Sequence, residues 1–389
     1  MAKKARVDAS NIVIYENKAW FFALNYPCLC CYDYKRQEVV KKKFIYDKKG
    51  YIECLYENII RIDNYIVGIP FWASSVYIYD IQKGEEYYVD ILGQDDIRIN
   101  AFYTSIICKN TIYAFRRFAN TGENGNYVLK IDPFQKKAEY ITLCLDEVNC
   151  NDSETIKVFA NENYYEDEFA ILLSEQGNII RVSLSDFKCD FFKYKNIEYP
   201  FYTICRFGDN KYFLVDKIGA GVIWDGQHSY IKVNSSQIIE SARNISSIGN
   251  KYLGAFENSV CYENTIYLIP SLSKVICEYD IENNIMRKAW FSDEIIFDIA
   301  NKIKSDNYYV GFLSNAFLVG NVLFLFCVSS GTFYEIDLAN KVVKANIIEV
   351  DFSKEEITYI GEYRFKHSTG ILKEDERLEY GLQTFINMI

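Results

Sequence analysis

An all-β repeat fold is predicted by three observations on this 389-residue chain. Aromatic residues make up 16% of it, with 33 Tyr and 27 Phe, and such side chains suit the pleated, half-buried surface of strands. A short turn ending in Asn recurs along the chain. An aromatic or apolar residue followed by Asp recurs downstream of that turn at a steady offset. Half of the residues are hydrophobic, 25% are charged and only 5 are Pro, so a substantial core is available and a disordered or low-complexity chain is excluded.

The turns are Glu16-Asn17, Asp63-Asn64, Lys109-Asn110, Asp209-Asn210, Glu263-Asn264 and Gly320-Asn321. Alternating apolar residues flank each one, such as Val13-Ile14-Tyr15 before the first and Trp20-Phe21-Phe22 after it. Asn tolerates positive φ, so each pair reads as a tight hairpin. The second anchor is Tyr32-Asp33, Tyr79-Asp80, Ile131-Asp132, Trp224-Asp225, Tyr279-Asp280 and Ile336-Asp337, where the carboxylate can bond its own backbone and start the next turn. The offset from turn Asn to Asp is 16 residues in four copies, 15 in the copy from Asn210 and 22 in the copy from Asn110, which contains a Gly/Asn-rich insertion. Applying 16 to the remaining gap finds a degenerate copy, with Asp167 at the turn and Ser183 at the end.

Each copy supplies four strands; in the second they are Ile59 to Ile62, Tyr65 to Phe71, Val76 to Ile81 and Glu86 to Ile91. Four antiparallel strands repeated every 42 to 57 residues predict a seven-bladed β-propeller, or six blades if the degenerate copy is irregular filler. One such sheet cannot bury both faces alone, so stacking around a ring makes the core. Tandem sandwiches would need about 100 residues per unit. The expected blades are 10–48, 55–92, 102–144, 156–194, 201–233, 255–291 and 311–350, a single domain followed by an extension over 351–389.

Val76-Tyr77-Ile78-Tyr79-Asp80-Ile81, Val128-Leu129-Lys130-Ile131-Asp132-Pro133 and Val275-Ile276-Cys277-Glu278-Tyr279-Asp280-Ile281 resemble the third-to-fourth-strand hairpins of kelch-type blades, with Trp290 near the position of the later kelch aromatic. The paired glycines of the second kelch strand are missing, and Trp224-Asp225 is a lone match to the WD signature. The resemblance implies the propeller fold over about residues 10–350 and carries no function with it.

Three segments fall outside the blades. Ile295, Ile296, Ile299 and Ile303 predict an amphipathic helix over 292–306, Ser235 to Arg243 a short one, and Leu378, Leu382, Phe385, Ile386 and Ile389 a C-terminal helix over 374–389. Residues 357–362 are one candidate for a closing strand, and the sequence leaves the manner of ring closure open.

The net charge of −10 excludes a basic nucleic-acid footprint, and no stretch reaches the roughly 18 apolar residues of a membrane helix. Only 2 His are present, His228 and His367, which removes most His-based catalysis and metal binding. Of the 12 Cys, Cys54, Cys108, Cys205, Cys261, Cys277 and Cys327 lie in apolar runs and read as small hydrophobes. Cys28 and Cys31 form a C-x-x-C whose ends point to opposite faces of a strand, so no metal or redox site is expected there. Unpaired thiols and the lack of an export signal behind Met1-Ala2-Lys3-Lys4-Ala5-Arg6 fit the cytoplasm. There is no Walker loop or nucleophile elbow, and Gly219-Ala220-Gly221 is not followed by a helix. No cofactor is expected, and the chain reads as a monomeric binding module rather than an enzyme.

In a propeller the connections between second and third strands share one face with those between blades. Here the former differ from one another, which is where function is grafted on a regular scaffold. Tyr26 in Asn25-Tyr26-Pro27 and Trp72 in Phe71-Trp72-Ala73-Ser74 are candidates for stacking, and Arg116, Arg117 and Lys217 for pairing with an acidic or sugar-acid partner. Six residues before each turn position stand Asn11, Asn58, Thr104, Asn161, Ile204, Asn258 and Asn315, a polar ring at the start of the innermost strands. Asn58 and Asn258 are the ring members expected at the ligand-side channel mouth, and Ile204 breaks the symmetry. A protein or peptide ligand on this face is the expected function. The alternative is a carbohydrate-binding or carbohydrate-active propeller whose carboxylates would be Glu57 and Glu257, with Glu162 completing the set. Lys41-Lys42-Lys43 is expected as a solvated edge that discourages pairing.

Overall fold

A computed structural model describes residues 3–9, 11–46, 55–92, 102–116, 127–143, 156–157, 169–174, 178–194, 199–208, 211–227, 230–233, 254–270, 273–303, 313, 316–328 and 330–361. After strand β1 (Lys3–Arg6), β2 (Val13–Tyr15), β3 (Lys18–Phe22), β4 (Cys28–Asp33) and β5 (Glu38–Phe44) form a four-stranded antiparallel sheet. An eight-stranded sheet follows in two antiparallel halves. The first half is β6 (Tyr56–Ile62), β7 (Tyr65–Pro70), β8 (Ser75–Asp80) and β9 (Glu85–Leu92). The second is β10 (Phe102–Cys108), β11 (Thr111–Arg116), β12 (Tyr127–Asp132) and β13 (Lys137–Thr142). The halves join because β9 and β13 pair in parallel, Ile91 with Ala138 and Leu92 with Glu139.

Four more four-stranded antiparallel sheets complete the series. They are β14 (Ile156–Lys157), β15 (Phe169–Ser174), β16 (Asn178–Ser183) and β17 (Cys189–Lys193); then β18 (Phe201–Arg206), β19 (Tyr212–Asp216), β20 (Gly221–Trp224) and β21 (Tyr230–Lys232). Next come β22 (Phe256–Tyr262), β23 (Thr265–Pro270), β24 (Cys277–Asp280) and β25 (Ile285–Lys288), then helix α1 (Ser292–Ile303), then β26 (Phe317–Val319), β27 (Val322–Cys327), β28 (Thr332–Asp337) and β29 (Val342–Ile347). The chain ends its described course with β30 (Glu349–Phe352) and a helix α2 over 354–361.

The two sequence anchors prove to be hydrogen-bonded neighbours. The amide after the Asp donates to the turn Asn carbonyl at Tyr34–Asn17, Ile81–Asn64, Ile281–Asn264 and Leu338–Asn321. Two intervening strands of fixed length therefore hold the offset. The Asp carboxylates act as expected: Oδ1 of Asp33, Asp80, Asp132 and Asp337 each accepts the backbone N–H groups two and three residues on, at 2.8–3.1 Å. In the degenerate copy Ser183 makes a weaker version, with Ser185 N at 3.4 Å. Positive φ falls on the residue before the Asn, at Glu16, Asp63, Lys109, Glu263 and Gly320; among the described turn Asn residues, Asn110 takes it as well. The Asn side chain instead braces the second anchor, as with Asn321 Nδ2 donating to Asp337 Oδ1 at 2.7 Å.

Each sheet buries its faces against its neighbours in chain order. Phe22 packs on Tyr56 at 4.8 Å between the first sheet and β6–β9, and Phe213 stacks on Tyr279 at 4.5 Å between β18–β21 and β22–β25. Gly68 is needed at the former contact, since a Cβ there would lie 2.6 Å from the Phe22 ring. The buried face of α1, Ile295 and Ile299, caps the core between β22–β25 and β26–β29. The last sheet returns to the first, with Phe21 against Phe326 at 6.0 Å and Tyr32 edge-on to Phe333 at 5.6 Å.

This seam is closed by both ends of the described chain. β1 pairs antiparallel with β30, Lys3 opposite Phe352 and Arg6 opposite Glu349, and Arg6 lies over Gly331, whose φ of +58° and lack of Cβ permit the contact. The candidate strand over 357–362 is not formed: residues 354–361 are helical, begun by Ser353 Oγ accepting the amide of Glu356 at 3.2 Å, and the closing strand is β1. The expectation for Lys41-Lys42-Lys43 is corrected at Lys42, while Lys41 is exposed on the edge strand β5. Lys42 Nζ pairs with Glu356, donates to Asp351 O at 2.6 Å and lies over the Phe352 ring, and Lys41 Nζ donates to Tyr79 OH at 2.6 Å. The Lys42 stem threads inward while its ammonium group finds oxygens. The helices expected over 235–243 and 374–389 lie outside the described residues; that over 292–306 is α1.

The Lys42 side chain is 18% exposed and Glu356 16%, so removing one partner strands the other in a half-buried site. Lys42→Ala is expected to lose about 1–3 kcal/mol of stability in urea unfolding, whereas Lys35→Ala on the exposed turn should change it by less than about 0.5 kcal/mol.

Candidate functional site

The connections between second and third strands share one end of the sheets, opposite the Asn turns. Those over 23–27, 71–74 and 217–220 are described; Arg117, residues 175–177 and 271–272 lie outside the described residues. Arg116 ends β11, and Trp72 is partly exposed with its ring edge-on to Phe71 at 5.7 Å. Lys217 is partly exposed, in the turn where Asp216 Oδ1 accepts the amides of Ile218 and Ala220. Tyr26 is not available as a stacking surface: it is 3% exposed, packed on Phe352 at 4.5 Å, because β30 covers this loop. Trp72 and Lys217 stand on different sheets, in connections of different conformation.

At the same end, four innermost strands carry a bulge. Pairing skips one residue between Tyr56 and Asn58, Phe102 and Thr104, Phe201 and Thr203, and Phe256 and Asn258. Glu57 and Glu257 are two of the skipped residues. A bulge breaks the two-residue alternation and re-aims the side chain, so their direction could not be read from spacing. Glu57 is partly buried, and Glu162 lies outside the described residues.

Two members of the polar ring, Asn11 and Asn58, and two residues beside it, Thr203 and Ser259, bond from one four-stranded unit to the next. Asn11 Nδ2 donates to Glu57 O in the next sheet at 2.8 Å, and Asn58 Nδ2 to Ser105 Oγ in the other half of the eight-stranded sheet at 2.9 Å. Thr203 Oγ1 donates to Phe256 O at 2.6 Å and Ser259 Oγ back to Ile204 O at 3.1 Å. Asn258 and Thr104 are partly buried; Asn161 and Asn315 lie outside the described residues. Ile204, 3% exposed in the core beside β14–β17, offers no ligand contact.

Sequence reading missed the N-terminal segment, which crosses this end. Asp8 N donates to Asn25 Oδ1 at 3.2 Å, Leu24 N to Asp8 O at 2.7 Å, and Asn25 Nδ2 to Arg6 O at 3.2 Å. Burial pushes the Asp8 carboxyl up to about 6, with Arg6 opposing the shift. No periodicity marks Asp8, since its burial depends on the seam.

Cys30 and Cys31 are not poised for nucleophilic work. Cys28 and Cys30 share one face, Sγ to Sγ 3.5 Å, while Cys31 faces the other side. The hydrogen bond with Cys28 and then burial hold Cys30 well above the ordinary thiol range, and burial pushes Cys31 up to about 12. Among the described residues no three His, Cys, Asp or Glu gather to hold a metal ion, and no helix is long and apolar enough to cross a membrane.

Two expectations follow. Asn11→Ala should cost about 1–2 kcal/mol in thermal unfolding, because the Glu57 carbonyl loses its partner. The raised Asp8 value means the folded chain holds that proton more tightly than the unfolded one. Its contribution is fully present below the ordinary value of 3.8 and is lost as pH rises through about 6. Asp8→Asn should therefore exceed the parent by about 1–3 kcal/mol at pH 8 and match it near pH 3.5, read by urea unfolding across that range.

No protein-family model and no curated protein sequence matches this chain. Solved structures do. The computationally designed protein Ika8 aligns with a TM-score of 0.53 at 10% identity, over 88% of this chain and 88% of its own. Streptogramin B lyase aligns at 0.52 and 11% identity, over 85% of this chain and 95% of its own. Together with the run of four-stranded antiparallel sheets, these likenesses identify a β-propeller fold.

Proposed function

We propose that the chain is a seven-bladed, kelch-like ring that acts as a non-catalytic scaffold, holding a protein or peptide on the face that carries its second-to-third-strand connections. The observation that supports this reading most is the state of the inner rim. Its polar groups are engaged in bonds between four-stranded units, Asn11 with Glu57 O, Asn58 with Ser105 and Thr203 with Phe256 O. A rim built this way is rigid, and it presents Trp72 and Lys217 in unlike loops above it. A pre-organised aromatic and cation on rigid strands suit recognition of an acidic peptide, because little ordering entropy is lost on binding. Among the described residues nine cysteines form no disulfide and most are buried, which suits a reducing cytoplasm.

The carbohydrate reading is favoured by one observation, the placement of Glu57 and Glu257 at bulges, which often border active sites. Streptogramin B lyase, similar in fold, is by its name an enzyme. At 11% identity that likeness carries no residue roles.

Crosslinking mass spectrometry on affinity-captured full-length protein tests the scaffold reading. A bound partner should crosslink through Lys217, and Trp72→Ala should weaken it by about 1–3 kcal/mol without lowering the melting temperature. A partner mapped to the Asn-turn end would refute it. So would polysaccharide turnover abolished by Glu57→Gln.

A further inference from the structure

Where the loop end meets helix α2, three aromatic rings gather at the surface. Phe44 ends β5, Tyr46 opens the connection towards β6, and Tyr359 stands on α2. The ring centroids of Phe44 and Tyr46 are 5.0 Å apart, those of Tyr46 and Tyr359 5.1 Å, and those of Phe44 and Tyr359 5.6 Å. Tyr359 is inclined to the other two rings at 79° and 85°, an edge-to-face arrangement in both cases. Phe44 and Tyr359 are half-buried and pack on the core of the seam, whereas Tyr46 is 59% exposed. Two anchored rings therefore hold the third in place and leave much of its surface in solvent.

The side chains next to this corner show what such a surface can hold. Lys42 Nζ lies 4.6 Å from the centroid of the Phe352 ring and pairs with Glu356, so one ammonium is bound by a ring face and a carboxylate together. Glu355, the preceding residue on α2, is exposed and has no ion-pair partner among the described residues. It stands four residues before Tyr359, on the same face of the helix, with Cβ atoms about 5–6 Å apart. Helical side chains lean back over the preceding turn, which carries the Tyr359 ring towards that carboxylate. No lysine or arginine among the described residues lies over the rings of Phe44 or Tyr46. Lys43 is opposite Leu29 and projects from the other face of β5.

We propose that the corner of Phe44, Tyr46 and Tyr359, with Glu355 beside it, binds the side-chain ammonium of a lysine carried by a partner peptide. The exposed Tyr46 ring supplies the negative π face and Glu355 the counter-charge. The site thus repeats the arrangement of Lys42, Phe352 and Glu356 with the cation brought from outside. A carboxylate in that place would meet the negative ring face and Glu355, and an uncharged apolar chain would forgo both attractions. The net charge of −10 draws cationic segments to the protein. The residues and the ligand charge differ from those of the acidic peptide proposed for Trp72 and Lys217, so either proposal can fail alone.

Ligand-observed NMR titration of the full-length protein tests this with a capped alanine pentapeptide carrying one central lysine, and with norleucine or glutamate at that position as counterparts. The lysine peptide should bind saturably, and each counterpart at least about fivefold more weakly. Tyr46→Phe keeps the ring face and should bind as the parent does. Tyr46→Leu keeps apolar bulk without the ring and should bind at least about fivefold more weakly. Both variants should melt within about 2 °C of the parent, because the side chain is largely exposed. Glu355→Gln should weaken binding about threefold in low salt. No saturable binding of the lysine peptide up to about 50 mM would overturn the proposal. So would equal affinity for the norleucine peptide, or an unchanged affinity in Tyr46→Leu or in Glu355→Gln.

Discussion

Among the described residues each sheet buries its faces mainly against neighbouring sheets, with α1 covering one junction, so each depends on a neighbour and the series depends on its closure. A four-stranded sheet left at an open end would expose one whole face of Tyr, Phe and Ile side chains. The contact of Phe21 with Phe326, and of Tyr32 with Phe333, is therefore the condition under which the other interfaces are worth forming. Closure is not made by sharing strands: β2–β5 and β26–β29 are each continuous in sequence. A separate pair, β1 with β30, spans the seam and is pinned by Lys42 to Asp351 and Glu356.

The two ends of the sheets are governed by different physics. At one end the hydrogen bonds are local: an Asp carboxylate on the next two or three amides, and a turn Asn carbonyl on the amide after that Asp. Such contacts depend on a few residues and reappear wherever those residues do. At the other end the bonds run between sheets, as from Asn11 to Glu57 or Thr203 to Phe256, and they coincide with bulges in the inner strands. Rigidity there comes from the ring, and the connections are left to vary.

Charge is distributed to match. Paired ions sit on outer strands: Arg181 with Asp190 is exposed and solvent-screened and adds little, while Arg287 reaches the buried Glu278. Asp8, Glu335 and Tyr32, at the seam or at the loop end beside it, are raised mainly by burial, as are groups on other sheets such as Tyr77, Cys205 and Cys277.

The repeat, its four strands and helix α1 were legible because they depend on spacing within about 20 residues, where alternation, Asn turns and strand-end Asp leave a direct trace. Even the degenerate copy with Ser183 could be found that way, and it forms β14–β17. The loop-end candidates were only half legible. Trp72 and Lys217 are partly exposed as their loops suggested, but Tyr26 looked the same in sequence and is buried by β30, a strand more than 300 residues away. Glu57 and Glu257 could not be aimed, because a bulge obeys no period. The roles of Lys42 and Asp8 were decided by tertiary structure alone. Each is set by the meeting of the two ends of the described chain, as Lys42 with Glu356 across 314 residues, and such a pairing exists only after the ring has closed.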